Sequence, residues 1–287
     1  MSAPKPHISL YDKSFNKENA PNYKLYITIS TTAIRQTILD LTTKTFIAFE
    51  SYQLENIYNE HALAAILKEV LTSNNIYQLN FKNINVAYVS NRSTLIPNAI
   101  FDQQKLAEYH KFNFSVNEDD YYLSDKLINL SAANIYSIPK FISTLFNDFI
   151  NVKFSHFSSA LIEASLINAK AEKALSSIYV NVMDETFQVT IIKNQKLALY
   201  NSFKYQNTED FIYYLLFVLE QQDINNEEAI ITLTGAVTKN DEIYNTLYKY
   251  INTVNFGNRN NNLKYSYIFE ETPKHFHHSL FNQFLCE

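Results

Sequence analysis

The stretch Lys24–Gln53, KLYITISTTAIRQTILDLTTKTFIAFESYQ, decides the fold, together with its echo Ser177–Tyr205, SIYVNVMDETFQVTIIKNQKLALYNSFKY. Each alternates apolar and polar residues, is rich in Ile, Val, Thr, Tyr and Phe, and is interrupted twice by short polar turns. That pattern predicts three antiparallel strands. In the first copy the strands are Tyr23–Ile29, Ala33–Leu41 and Thr45–Gln53, with turns at Ser30–Thr32 and Thr42–Lys44. In the second they are Ser177–Met183, Thr186–Lys193 and Gln195–Tyr205.

Working outward, each meander runs into helices and further strands. Asn59 caps a helix over Glu60–Ser73, whose Leu63, Ile66, Leu67 and Val70 share one face. Asn83–Val89 reads as a central strand. Ser93–Phe101 breaks at Pro97, Asp102 caps a helix to His110, and Lys111 to about Ile150 is an insertion that ends in a helix begun by Pro139. A short strand, Val152–Phe154, precedes a helix over His156–Glu172. In the second half Thr208 caps a helix to Gln222, apolar nearly all round and so expected to be buried. Strands at Glu228–Thr234 and Lys264–Phe269 and helices at Asp241–Ile251 and Pro273–Leu285 complete it. Parallel strands joined by helical crossovers then extend each meander into a five-stranded mixed sheet flanked by helices. The expected division is an irregular arm over residues 1–22, a first lobe over 23–173 and a second over 174–287.

Composition bounds the function. The 287 residues are 46% hydrophobic and 18% charged, enough for a large packed core. The net charge of −5 advertises neither a nucleic-acid groove nor a membrane-binding basic patch. One cysteine, Cys286, excludes a disulfide within the chain and fits a reducing compartment. The amino-terminal stretch lacks the apolar run of a signal peptide, and the longest apolar run, Phe211–Leu219, is too short to span a bilayer. A cytoplasmic location and no membrane insertion are expected. There are two glycines, Gly235 and Gly257. Phosphate-cradling loops use glycine to bring backbone N–H groups close to the anion, so few places remain for one.

The order strand, strand, strand, helix, strand, helix, strand, helix, given twice, resembles the actin-like ATPase superfamily: actin, sugar kinases, heat-shock chaperones, and the actin-like proteins of type IV pilus and type II secretion assemblies. More narrowly, the chain resembles a Bacteroidota family of unknown function with that fold. The resemblance covers Tyr23–Leu285, and its best local match is the helix Ser159–Glu172 entering the second meander. It implies two ribonuclease H-like domains. It also implies a phosphate loop, Asp-x-Gly-x-x, after the first strand of each half, whose glycine amides hold phosphates and whose aspartates organise Mg²⁺. In the first loop Thr31 and Thr32 fit the pattern, but Thr28 stands at the aspartate position and Ser30 at the glycine position. In the second, Asn181 replaces the aspartate, and Met183-Asp184-Glu185 replace the glycines with carboxylates that repel a triphosphate. The adenosine-side strand Ile231–Ala236 keeps one glycine, Gly235.

Thr28, Ser30, Thr31, Thr32, Asn181, Asp184 and Gly235 are therefore degenerate cleft candidates, with no catalytic residue, metal ligand or cofactor assigned. The same strand positions lack the carboxylates of a two-metal nuclease. His275, His277 and His278 match no common metal spacing and read as a solvated helix start. Arg35 and Arg92 stand out because arginine is scarce. No Ser, His and Asp set has a recognisable spacing. Two function classes follow: a non-catalytic actin-like binding or scaffold module with a protein partner or a second copy, and a divergent ATPase or kinase with unusual cleft residues. A cleft plugged by aromatic side chains favours the first, and polar groups converging on a deep cleft favour the second.

Overall fold

The computed structural model describes residues 4–55, 57 and 59–286; the extreme ends of the expected arm and second lobe, residues 1–3 and 287, lie outside them. The first meander forms as β2 (Tyr23–Ile29), β3 (Ala33–Asp40) and β4 (Thr45–Gln53), after a strand β1 (Ile8–Tyr11) in the arm expected to be irregular. Helix α1 (Glu60–Ser73) starts where Asn59 accepts a hydrogen bond from the N–H of Ala62. It leads to β5 (Asn83–Tyr88).

Between β5 and its parallel neighbour lies the insertion, which begins earlier than expected. It is a three-stranded antiparallel sheet of β6 (Ser93–Pro97), β7 (Asp120–Leu127) and β8 (Ala132–Pro139), with α2 (Leu106–Lys111) against it. The crossover helix α3 (Lys140–Leu145) then leads to β9 (Val152–His156). Helix α4 (Phe157–Glu172) joins the halves and is buried along most of its length.

The second half is β10 (Ser176–Val182), β11 (Thr186–Lys193), β12 (Lys196–Lys204), α5 (Thr208–Gln221), β13 (Ile230–Gly235), α6 (Glu242–Leu247) and β14 (Thr253–Phe256). Its sheet runs β12-β11-β10-β13-β14, the first pairs antiparallel and the last two parallel. The first sheet repeats this order as β4-β3-β2-β5-β9. Both contain the five-stranded mixed order the sequence implies, but the first sheet has seven strands, because β1 and a two-residue strand at Lys264–Tyr265 also pair with β4.

Beyond β14 the chain departs from the sequence reading. The expected fifth strand, Lys264–Phe269, is only β15 (Lys264–Tyr265), and it pairs with Thr45 and Phe46 of β4 in the first sheet. The fifth strand of the second sheet is β14, whose short Thr-Val-Asn-Phe run gives a weak local signal. The expected helix Pro273–Leu285 is a single turn, α7 (His278–Phe281), bounded by His277 in a left-handed conformation (φ 54°). The carboxy-terminal segment thus returns to the first lobe.

Period-two geometry explains why it is needed there. In β2, Leu25, Ile27 and Ile29 point into the core under α1 and α3. Tyr26 points the other way, where Leu39, Phe46 and Phe49 also expose an apolar face. Phe269, Leu280 and Phe281 cover it. Removing so much apolar surface from water is a large stabilising term.

Candidate functional site

In each half the first strand ends at the cleft between the lobes, under the following turn. Thr28 is buried on β2, on the face opposite Ile27. Its Oγ1 accepts a hydrogen bond of 2.9 Å from Nε2 of Gln283, which also donates to the carbonyl of Ile27 at 3.1 Å. The Gln283 carboxamide of the carboxy-terminal segment therefore caps Thr28, the residue that stands where the resemblance implies a metal-organising aspartate.

The first turn is closed on itself. Ser30 Oγ accepts from the N–H groups of Ala33 (2.9 Å) and Thr32 (3.3 Å) and donates to the Ala33 carbonyl. Thr31 is exposed, and neither it, Thr32 nor Ser30 lines the cleft cavity. A serine hydroxyl thus satisfies the turn amides that a phosphate would otherwise meet.

In the second half Asn181 is fully engaged. Its Nδ2 donates to Gln188 Oε1 (2.8 Å) and its Oδ1 accepts from Thr234 Oγ1 (3.1 Å), which ties β10 to β11 and β13. Asp184 faces Arg35 of β3 at 3.8 Å, an ion pair bridging the two lobes. Burial lowers the Arg35 pKa, and the Asp184 charge opposes that fall. The carboxylate that would repel a triphosphate is thus balanced across the cleft by a cation from the other half.

Gly235 ends β13 with φ +86°, and an added Cβ would lie 2.1 Å from the carbonyl oxygen of Val182. The close approach of β10 and β13 requires glycine here whatever binds. Its N–H donates to the carbonyl of His275 at 2.9 Å, so this donor also is taken by the carboxy-terminal segment.

Thr28, Arg35, Asn181, Asp184 and Gly235 do come together around one cavity, and its remaining wall is Phe276, His277, His278, Ser279 and Leu280. The free volume is about 50 Å³, against about 300–1,000 Å³ for typical small-molecule pockets. The three histidines are not a solvated helix start. His275 Nε2 lies 2.6 Å from the Val237 carbonyl, and the His277 ring packs 4.6 Å from that of Phe49. Burial, with the nearby charges of Arg35 and Arg259, pushes the His277 pKa down to about 3, and burial pushes that of His278 down to about 4. Both are neutral at pH 7. Among the described residues no group of His, Cys, Asp or Glu is arranged to hold a metal ion.

Sequence reasoning missed Gln283 and the role of Phe276–Leu280. The available signal was aromatic density: Phe276, Phe281 and Phe284 fall in the expected helix Pro273–Leu285, whose start was expected to be solvated. Arg92 is remote from this site; in the insertion it pairs with Asp120 at 2.9 Å.

The structure also assembles a set that spacing did not reveal. His156 lies 3.2 Å through Nε2 from Ser90 Oγ, and Asp125 is adjacent. The arrangement is not that of a nucleophile and base. Asp125 accepts from the backbone N–H of His156 (2.8 Å) rather than from its ring. The ring Nδ1 accepts from the N–H of Ser158, which makes His156 the cap of α4. Burial pushes the His156 pKa down to about 3, too low for a general base at neutral pH.

Comparison with known proteins bears on the fold and the family. The family model described as "Protein of unknown function (DUF3822)" matches residues 12–254, most of the chain. The chain belongs to this family. No curated protein matches the sequence. Among solved structures, a Bacteroides thetaiotaomicron protein with an actin-like ATPase fold and unknown function superposes with a TM-score of 0.76 at 23% identity, covering 89% of this chain and 97% of that one. A PilM–PilN type IV pilus biogenesis complex gives 0.56 at 12% identity, covering 92% and 95%. The fold is that of the actin-like ATPases, as the duplicated meander implied. Among the described residues no helix is long and apolar enough to cross a membrane.

Proposed function

We propose that this member of the DUF3822 family is a non-catalytic actin-like protein that works as a binding or scaffold module. The observation that carries this reading is the occupied cleft. The chain's own Phe276–Leu280 and Gln283 fill the space between the lobes and take up the donors and acceptors there. Phosphoryl transfer needs a metal and preorganised donors around the transferred group. Here the two aspartate positions are Thr28 and Asn181, both committed to protein partners. The PilM relative, similar in fold alone, occurs in a complex with PilN, which accords with a partner-binding use of this architecture.

Differential scanning fluorimetry with millimolar Mg²⁺-ATP tests the reading. A ligand that binds the folded state raises the unfolding temperature in proportion to its concentration over its Kd. No shift is expected. A shift that titrates with a low-micromolar Kd overturns the proposal in favour of a divergent ATPase or kinase.

A further inference from the structure

Helix α5 does not match its expected burial, and the mismatch marks a surface. Phe211, Leu215, Val218 and Leu219 face the second sheet and are buried. Tyr213, Phe217 and Glu220 recur at i, i+4 and i+7 and form a stripe on the opposite side. Tyr213 is 64% exposed and Phe217 46%. Their rings lie nearly parallel (15°) with centroids 6.3 Å apart. Tyr250, beyond α6, is 50% exposed and closes the other side of a groove of about 700 Å³. Glu220, Glu227 and Lys249 complete the lining used here. Two exposed carboxylates and three exposed aromatic side chains thus line the groove with a single lysine.

We propose that this groove between α5 and α6 docks a basic segment of a partner protein, one that presents arginine or lysine beside apolar side chains. Aromatic faces attract cations through their quadrupole, and arginine stacks on them well. Glu220 and Glu227 supply the complementary charge, and the exposed rings supply the apolar contact that a partly desolvated cation needs. A second copy of the chain is the poorer occupant. Twofold pairing of this face brings four carboxylates together with only two lysines, an excess of like charge. The proposal extends the reading of a binding module, and it concerns a surface apart from the cleft, so an ATP-induced shift bears on that reading and not on this groove.

The test is selection of random peptides displayed on phage against the full chain. Each enriched peptide is then measured by fluorescence anisotropy with the wild type, with Glu220→Lys/Glu227→Lys and with Tyr213→Ser/Phe217→Ser. Enriched sequences should be basic and carry apolar residues, and both double variants should weaken binding by about tenfold or more. All substituted side chains are exposed, so the unfolding temperature should stay within a few degrees, which separates lost docking from lost folding. Failure to enrich any peptide overturns the proposal. So does enrichment of acidic or uncharged peptides, or basic-peptide binding that both variants leave intact. A wild-type dimer in sedimentation velocity that Tyr213→Ser/Phe217→Ser dissolves overturns it in favour of a second copy.

Discussion

Two aromatic surfaces of this molecule meet opposite fates. On the first sheet Tyr26, Phe46 and Phe49 lie under Phe269 and Phe281, and this cover continues into the cleft as Phe276 and His277. On the second lobe Tyr213 and Phe217 lie in water. Residue type does not separate them, because both are clusters of Phe and Tyr. What separates them is whether the chain has a segment to spare. The carboxy-terminal stretch after β14 passes back over the first lobe, and among the described residues none returns over the outer stripe of α5. The first surface is spent on stability, and the second stays exposed.

Substitutions sharpen that contrast. Phe281 is 2% exposed and meets Phe46, Tyr265 and Phe269 with ring centroids about 5 Å apart. Phe281→Ala should cost about 3–5 kcal/mol, read as a lower urea midpoint with an unchanged slope. A loss under about 1 kcal/mol would show that the segment is only loosely applied and that the cleft is open in solution.

Gly235→Ala tests the same junction from the other lobe. The added Cβ collides with the Val182 carbonyl, and the positive φ strains any L residue. A loss of at least about 2 kcal/mol is expected. A neutral result would mean that β10 and β13 separate easily, and the cleft with them.

Acidity strikes the covered surface selectively. His277 and His278 hold pKa values of about 3 and 4 in the folded chain, below the ordinary value near 6.5. Folding therefore excludes their protons. The stability that comes from keeping them neutral is complete above about pH 6.5 and is lost as pH falls toward the folded values. Asp125 acts in the opposite sense: burial raises its pKa to about 6, so folding favours its proton and stability rises as pH drops through that value. His156 and His275, also lowered, add to the histidine side of the balance. A net fall in unfolding temperature between pH 7 and pH 5 follows, with His278 alone contributing on the order of 2 kcal/mol. His278→Gln should flatten the profile, and a profile already flat in the wild type would contradict the buried placement.

How much of this was legible in the sequence follows the range of the interactions. The two meanders were, because strand alternation and turn residues are local. The start of α1 at Asn59 was too, since a cap needs only the adjacent N–H groups. The cleft was legible in its losses: Thr28, Asn181 and Asp184 are wrong for phosphate as residue types. Its filling was not. The bond from Gln283 to Thr28 spans 255 positions, and no periodicity links residues so far apart. The single turn of α7 was hidden because no glycine or further proline marks a break after Pro273, and packing on the first sheet decides the conformation. Helix α5 misled for a simpler reason. An apolar stripe on both sides looks like burial, but the sequence does not say whether the outer stripe has a neighbour.

The smallest expected effect is the most telling for the comparison. Phe217→Ser replaces an aromatic ring on α5, as Phe281→Ala does on the first sheet, yet its stability should change by no more than about 0.5 kcal/mol. Phe217 is nearly half exposed and its ring neighbour Tyr213 is itself exposed, so little packing is lost and a surface ring leaves water. Equal losses for Phe217→Ser and Phe281→Ala would mean that the outer face of α5 is covered in solution, by a second copy or by the chain itself. A small loss with the fold intact would leave that ring without a structural duty, which is the condition an association surface must meet.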